Sequence, residues 1–202
     1  MDHIPQPSDA PRPPLAEPHG NGLRLRAWEA ARDDHARDWL RGVNDPEFRH
    51  WNTPLQDITD LDGARESLRG REQAAADGTG VGFRVTDEES GTTLGHVGVN
   101  AISLTFRTGR VGYWVLPEAR GRGVAVRALA LAAHWALTDL GLHRLELGHA
   151  LGHDASCRIA ERCGFPAEGI MRGAMWEAGR RDAFRDVHLH ARLATDPAPG
   201  TP

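Results

Sequence analysis

Along the chain, apolar positions either alternate with polar ones, recur at helical spacing or run together, and each pattern predicts a different element. Leu23 and Leu25 alternate with Arg24 and Arg26, the mark of a short strand. Trp28, Ala31, His35 and Trp39 recur at helical spacing and predict a helix over Trp28–Leu40. Asn44 to Pro54, with two prolines and two aromatics, reads as a loop, and the proline-free stretch Asp60–Ala76 as a second helix. Val81–Thr86 and Leu94–Ile102 read as strands joined by the acidic turn Asp87–Gly91, a hairpin. Arg110–Leu116 is a further strand, stopped by Pro117. Val124–Leu140 is a long apolar helix ended by Gly141. His143–Leu147 (strand), Asp154–Cys163 (short helix, ended by Gly164), Gly169–Trp176 and Phe184–Leu193 (strands around a polar loop at Gly179) complete the chain. The order β-α-α-β-β-β-α-β-α-β-β predicts a mixed α/β fold in which a meander precedes a β-α-β unit.

Composition narrows the chemistry. The chain has 202 residues, enough for one domain with tails, and the folded unit is expected over residues 22–195. Six prolines before residue 21 and three after residue 195 predict a disordered arm over 1–21 and a flexible tail over 196–202. A net charge of −4 argues against a nucleic-acid partner. No run of about 18 apolar residues predicts a membrane span, and the N-terminus lacks a signal-peptide pattern, so a cytoplasmic protein is expected. All 24 basic residues are arginines. With no lysine, Schiff-base chemistry, the P-loop lysine and the kinase strand lysine are excluded together.

The most informative stretch is Val115-Leu116-Pro117-Glu118-Ala119-Arg120-Gly121-Arg122-Gly123-Val124-Ala125, where a strand runs through an Arg/Gly turn into the long helix. Gly121 and Gly123 allow close backbone approach, and the free N–H groups of a helix start attract anions. Five arginines and one acid, Glu118, lie between Arg107 and Arg127, so a pyrophosphate or another polyanion is the expected guest. Two other readings stand beside it. One is an ordinary strand–helix turn with solvated arginines. The other is a dinucleotide-binding turn, for which the third glycine is replaced by Val126.

Arg120-x-x-Gly123-x-Ala125 resembles the acetyl-CoA-binding signature of the GNAT acetyltransferases, Q/R-x-x-G-x-G/A. Gly112-Tyr113-Trp114-Val115, Ala155-Ser156, Cys163-Gly164-Phe165 with Glu168-Gly169, the stretch Gly179 to Asp182, and Asp45-Pro46 through Trp51 and Pro54 resemble segments of its RimJ/RimL-like branch, in the same order. The resemblance implies a mostly antiparallel mixed sheet of about seven strands with about four flanking helices. Its central parallel pair, here Arg110–Leu116 and His143–Leu147, would splay to admit acetyl-CoA. It also implies transfer of an acetyl group to a primary amine, either a protein N-terminal α-amine or a small-molecule amine, by direct attack on the thioester. Another acyl-CoA such as succinyl-CoA, or a non-catalytic CoA-binding module, are the alternatives. Homodimers are common in the family.

The same resemblance distributes roles. Backbone groups of Val115 and Leu116 would pair with the pantetheine arm. N–H groups from Arg120, Gly121, Arg122, Gly123, Val124 and Ala125 would hold the pyrophosphate. Ser156 would give a proton to the leaving thiolate or position the cofactor. His153 stands where relatives carry an asparagine on the cofactor side. The usual acid before the G-Y-W segment is Arg110 here, which leaves Glu177 and Glu168 as candidate bases. Trp51, Tyr113 and Trp114, with Phe48, Phe106 and Trp176, are candidates for the acceptor side. No metal is expected. The histidines and cysteines form no ligand spacing in sequence, and His188 and His190 share a strand face without a third ligand nearby.

Overall fold

The computed structural model describes residues 17–198. Eight strands form one sheet: β1 (His19–Gly20), β2 (Leu23–Ala27), β3 (Val81–Asp87), β4 (Thr93–Ser103), β5 (Thr108–Val115), β6 (Arg144–Ala150), β7 (Ala167–Trp176) and β8 (Phe184–Leu193). Their order is β1-β2-β3-β4-β5-β6-β8-β7. Every neighbouring pair is antiparallel except β5 and β6. The eighth strand, relative to the expectation of seven, is the two-residue β1, which pairs with Leu23 and Arg24. Residues 17–21 of the expected arm and 196–198 of the expected tail are among the described residues; residues 1–16 and 199–202 lie outside them.

Five α-helices accompany the sheet: α1 (Asp33–Val43), α2 (Pro46–Trp51), α3 (Leu61–Ala76), α4 (Val124–Thr138) and α5 (Asp154–Arg162). Two of them correct the sequence reading. Helix α1 starts at Asp33, not Trp28, because Asp33 and Asp34 occupy its first turn, where negative charge meets the helix dipole. The expected loop contains α2. Its start was legible after all: Asp45 accepts the Phe48 N–H at 2.9 Å and Pro46 fills the first helical position.

The pleat of β5 divides the core. Val111 packs on the face covered by α4 and α5, with Val97, Val99, Leu129, Trp135, Leu145 and Leu147. Trp114 points to the other face, toward α1 and α3, with Trp28, Trp39 and Leu68. A Cβ on Gly42 would lie 2.3 Å from the Trp114 ring, so only glycine lets α1 sit this close.

This layering positions one opening. β5 and β6 are paired only over Thr108–Arg110 and Arg144–Glu146. Beyond that, β6 remains paired to β8 through Ala150 and β5 to β4 through Val115. The two strands diverge and leave a wedge in the middle of the sheet.

Candidate active site

The wedge is the mouth of a cleft of about 490 Å³, walled by residues of α2, β5, the turn before α4, β6 and α5. In a strand, the N–H and C=O of alternate residues point to opposite edges. Leu116 gives its N–H to the Leu94 carbonyl on β4 at 2.9 Å, so the N–H of Val115 faces the wedge. Leu116 is thereby removed from the expected pantetheine contacts: its N–H is spent on β4 and its side chain is buried with the tryptophans.

At the end of β5 the chain makes a 3-10 turn, Pro117–Ala119, and enters α4. Gly121 and Gly123 both hold left-handed φ values, +71° and +70°, and open space lies where their Cβ atoms would be. No side chain caps α4 and no acid occupies its first turn, so the N–H groups at its start remain available to an anion. Arg127 braces the turn through the Arg122 and Gly123 carbonyls at 3.2 and 3.4 Å, a role the sequence reading missed.

Arg120 behaves differently from the rest of the turn. Its N–H bonds the Pro117 carbonyl at 3.2 Å, and its guanidinium pairs with Asp45 and with Glu47 at 2.8 Å. Arg120 thus ties β5 and the turn to α2, with little left for a phosphate. The arginine cluster disperses likewise: Arg110 meets Glu146 at 3.3 Å and Arg107 the Gly141 carbonyl at 2.8 Å.

Across the wedge, Tyr113, Ser156 and His153 form a chain. Tyr113 donates from its hydroxyl to Ser156 Oγ at 3.3 Å, and Ser156 Oγ lies 3.1 Å from His153 Nδ1. Burial pushes the Tyr113 phenol up to about 12, so it keeps its proton. Burial, reinforced by His149, Arg185 and His50, lowers His153 to about 4, so the imidazole is neutral near pH 7. Trp51 stacks flat on His153, with ring centres 4.3 Å apart and planes 2° from parallel. Arg185 fixes this arrangement by donating to the Trp51 carbonyl at 2.6 Å and the His50 carbonyl at 3.2 Å.

The structure separates other candidates from the cleft. Glu168, a candidate base, lies on β7 outside the cleft wall and is held bidentately by Arg144 at 2.9 and 2.6 Å. Glu177 also lies outside the wall, at the β7–β8 turn. Its carbonyl accepts from Thr53 Oγ1 at 2.8 Å, and its carboxylate sits 3.9 Å from Arg185. Trp114 borders the cleft while its ring belongs to the core. Phe48 lines the cleft; Phe106 is 77% exposed at the β4–β5 turn, and Trp176 sits beneath Arg181, neither of them in the wall.

A wedge in a mixed sheet that points at an uncapped helix start is the arrangement the resemblance implied for the strands at Arg110–Leu116 and His143–Leu147. The acetyltransferase (GNAT) domain model matches residues 23–166, most of the chain. The chain belongs to the GNAT acetyltransferase family. Among curated GNAT relatives, the ribosomal-protein-serine acetyltransferase of Escherichia coli (strain K12) is 25% identical over 158 residues, covering 78% of this chain and 80% of its own. Matches to two Bacillus subtilis (strain 168) N-acetyltransferases cover 49% and 56% of those proteins, so the chain spans about half the length of these relatives. Mycobacterium smegmatis RimJ in complex with CoA-disulfide superposes with a TM-score of 0.75 at 23% identity, over 85% of this chain and 82% of RimJ. A mutant of the SpeG spermidine N-acetyltransferase of Vibrio cholerae gives 0.72 at 23% identity, over 87% of this chain and 96% of its own. These two likenesses concern the fold. No helix among the described residues is long and apolar enough to cross a membrane.

Proposed function

We propose that this GNAT protein is an acetyl-CoA-dependent N-acetyltransferase acting on a primary amine. The observation that carries the reading is the wedge between β5 and β6, which leads along the open edge of β5 to the uncapped start of α4. Acetyl-CoA, the acyl-donor substrate, supplies the activated acetyl group as a thioester. The edge of β5 left unpaired beyond Arg110 aligns its extended arm as an added strand. The N–H groups from Gly121 to Ala125 hold the pyrophosphate.

A positioned pair of reactants needs little further machinery, since proximity and orientation supply much of the rate. The Val115 N–H polarises the carbonyl under attack. As the carbon–sulfur bond breaks, Ser156 delivers a proton to sulfur, with the protonated Tyr113 hydroxyl behind it. His153 keeps the serine in place and, being neutral, adds no positive charge beside the incoming amine. The amine gives its own proton to water, because Glu47, the acid in the cleft wall, is already engaged by Arg120.

One observation bears on the acceptor. The wall carries one acid, Glu47, against the two arginines Arg120 and Arg162. A polycation such as spermidine would enter without carboxylates free to meet its remaining charges, so a single amine, such as a polypeptide N-terminus, fits better. The aromatic pair Trp51 and His153 forms its acceptor wall.

Calorimetric titration of the purified chain with acetyl-CoA, NAD and NADP tests the first part. Selective acetyl-CoA binding is expected, and its absence would overturn the assignment. Thiol release with N-terminal peptides against spermidine tests the second, and a preference for spermidine would reverse the acceptor reading.

A further inference from the structure

Behind the cleft, tertiary structure supplies the ligand that His188 and His190 lack in sequence. His149 on β6 lies directly opposite His188 on β8, and His190 lies opposite Leu147, so all three imidazoles share the face covered by α5. Their ring centres are 5.5 Å (His149–His188), 5.2 Å (His149–His190) and 4.6 Å (His188–His190) apart. Cys157 comes down from α5 with its sulfur 3.8 Å from His188 Nδ1. One potential ligand atom from each of His149, Cys157, His188 and His190 lies within 4.8 Å of all the others.

Two independent hydrogen bonds orient the buried rings. His149 Nδ1 lies 3.0 Å from the Ala150 carbonyl, and His190 Nδ1 lies 3.0 Å from the Phe165 carbonyl. A carbonyl only accepts, so both Nδ1 atoms carry a proton, and in the neutral form of each ring Nε2 carries a lone pair. Those Nε2 atoms are buried and have no hydrogen-bond partner among the described residues. His190 is fully buried and His149 is 6% exposed. Two neighbouring buried lone pairs without a donor are costly unless something electron-deficient sits between them. An imidazole whose Nδ1–H is held by a backbone carbonyl is also the usual form of a metal-binding histidine.

We propose that His149, His188, His190 and Cys157 bind a borderline divalent cation of the zinc class. Three neutral imidazoles and one thiolate form a closed tetrahedral donor set, the pattern of a structural site. With bonds of about 2.0–2.3 Å, donor atoms in such a site stand about 3.4–3.6 Å apart, so the widest present separation must close by roughly 1 Å. Cys157 and His188 are partly exposed and can make that adjustment. On binding, the thiol proton passes to solvent and the sulfur–metal bond forms. The ion would pin α5 to β6 and β8 one residue beyond Ser156, and His149 itself lines the cleft, so the clamp would stiffen the wall that carries the Tyr113–Ser156–His153 chain.

The test uses the full chain without a histidine tag, stripped with a chelator and titrated with Co²⁺. One equivalent is expected, with a sulfur-to-cobalt charge-transfer band and the intense visible bands of a tetrahedral ion, both lost on adding Zn²⁺. Thermal unfolding should move to higher temperature with either metal. Cys157→Ser should lose the charge-transfer band. His188→Asn should weaken binding by more than the roughly 10–100-fold that loss of an outer-shell partner costs. His134→Asn, on the exposed side of α4, should change neither. Both cluster variants replace partly exposed side chains, and their melting in the presence of chelator reports whether they fold. Failure of the parent chain to take up one equivalent, or uptake unchanged in both Cys157→Ser and His188→Asn, would overturn the site. None of these readouts depends on acyl transfer.

Discussion

The two walls of the cleft are built on opposite principles. The wall proposed to hold the anion comes from consecutive residues, Val115 to Ala125, and offers backbone whose direction Gly121 and Gly123 set with left-handed φ angles. The facing wall gathers Trp51 from α2, Tyr113 from β5, His149 from β6, and His153 with Ser156 at the start of α5, and it acts through side chains. The contrast teaches where a substitution should hurt. A change in the local wall should disturb binding, because the proposed anion site is an array of neighbouring N–H groups. A change in the assembled wall should leave binding nearly intact and alter proton handling.

The largest break is expected from Gly123→Glu. It forces a non-glycine residue into left-handed backbone, at about 1–2 kcal/mol, and places a carboxylate at the anion site. Acetyl-CoA affinity should fall by at least roughly 100-fold, or about 2.7 kcal/mol, with the fold retained by circular dichroism. Unchanged affinity in a folded variant would dissociate the turn from the substrate.

Ser156→Ala should sharpen the comparison from the other side. kcat should fall by about tenfold while the acetyl-CoA KM moves little, a loss of about 1.4 kcal/mol in the transition state alone. A risen KM with unchanged kcat would place Ser156 in binding instead.

His153 gives a pH test. Its native value of about 4 lies below that of an exposed histidine, about 6.5. Between these values the unfolded chain binds more protons than the native one. The stabilising contribution is therefore complete above the upper value and is lost as pH falls toward the lower. His153→Asn should flatten the fall in Tm between neutral and acidic pH without abolishing it, since buried His96, His35 and His149 are shifted in the same direction. An unaltered slope would contradict the buried neutral imidazole.

The smallest effect is expected from Glu168→Gln. The pair with Arg144 is exposed, so stability should change by about 0.5 kcal/mol and kcat not at all. A loss of activity beyond about tenfold would return Glu168 to the chemistry.

Much of this could be read from the residues because its causes are local. Alternation in β2 and β3, the apolar run of α4 and the glycines that end α4 and α5 act within a few residues of themselves. Even the missed helix α2 announced itself in Asp45-Pro46, a cap followed by a helix-starting proline, which the second proline and the aromatics obscured. The start of α1 was misplaced because the buried Trp28 mimics helical spacing while belonging to the tryptophan cluster before the helix.

The sequence by itself determined the Arg/Gly turn and the order of the elements other than β1 and α2, because backbone preference and hydrophobic period are properties of neighbouring residues; the family was legible through the resemblance of its motifs. Tertiary structure alone decided which charges remain free and which side chains meet. Five arginines near the turn look like a phosphate trap in sequence, yet Asp45 and Glu47, more than seventy positions away, claim Arg120. His149, Cys157, His188 and His190 carry no recognisable spacing, yet the register of β6 with β8 and the packing of α5 place them together. Coulomb forces and ligand geometry act through space over a few ångströms, and the chain fixes such distances only after the sheet has paired.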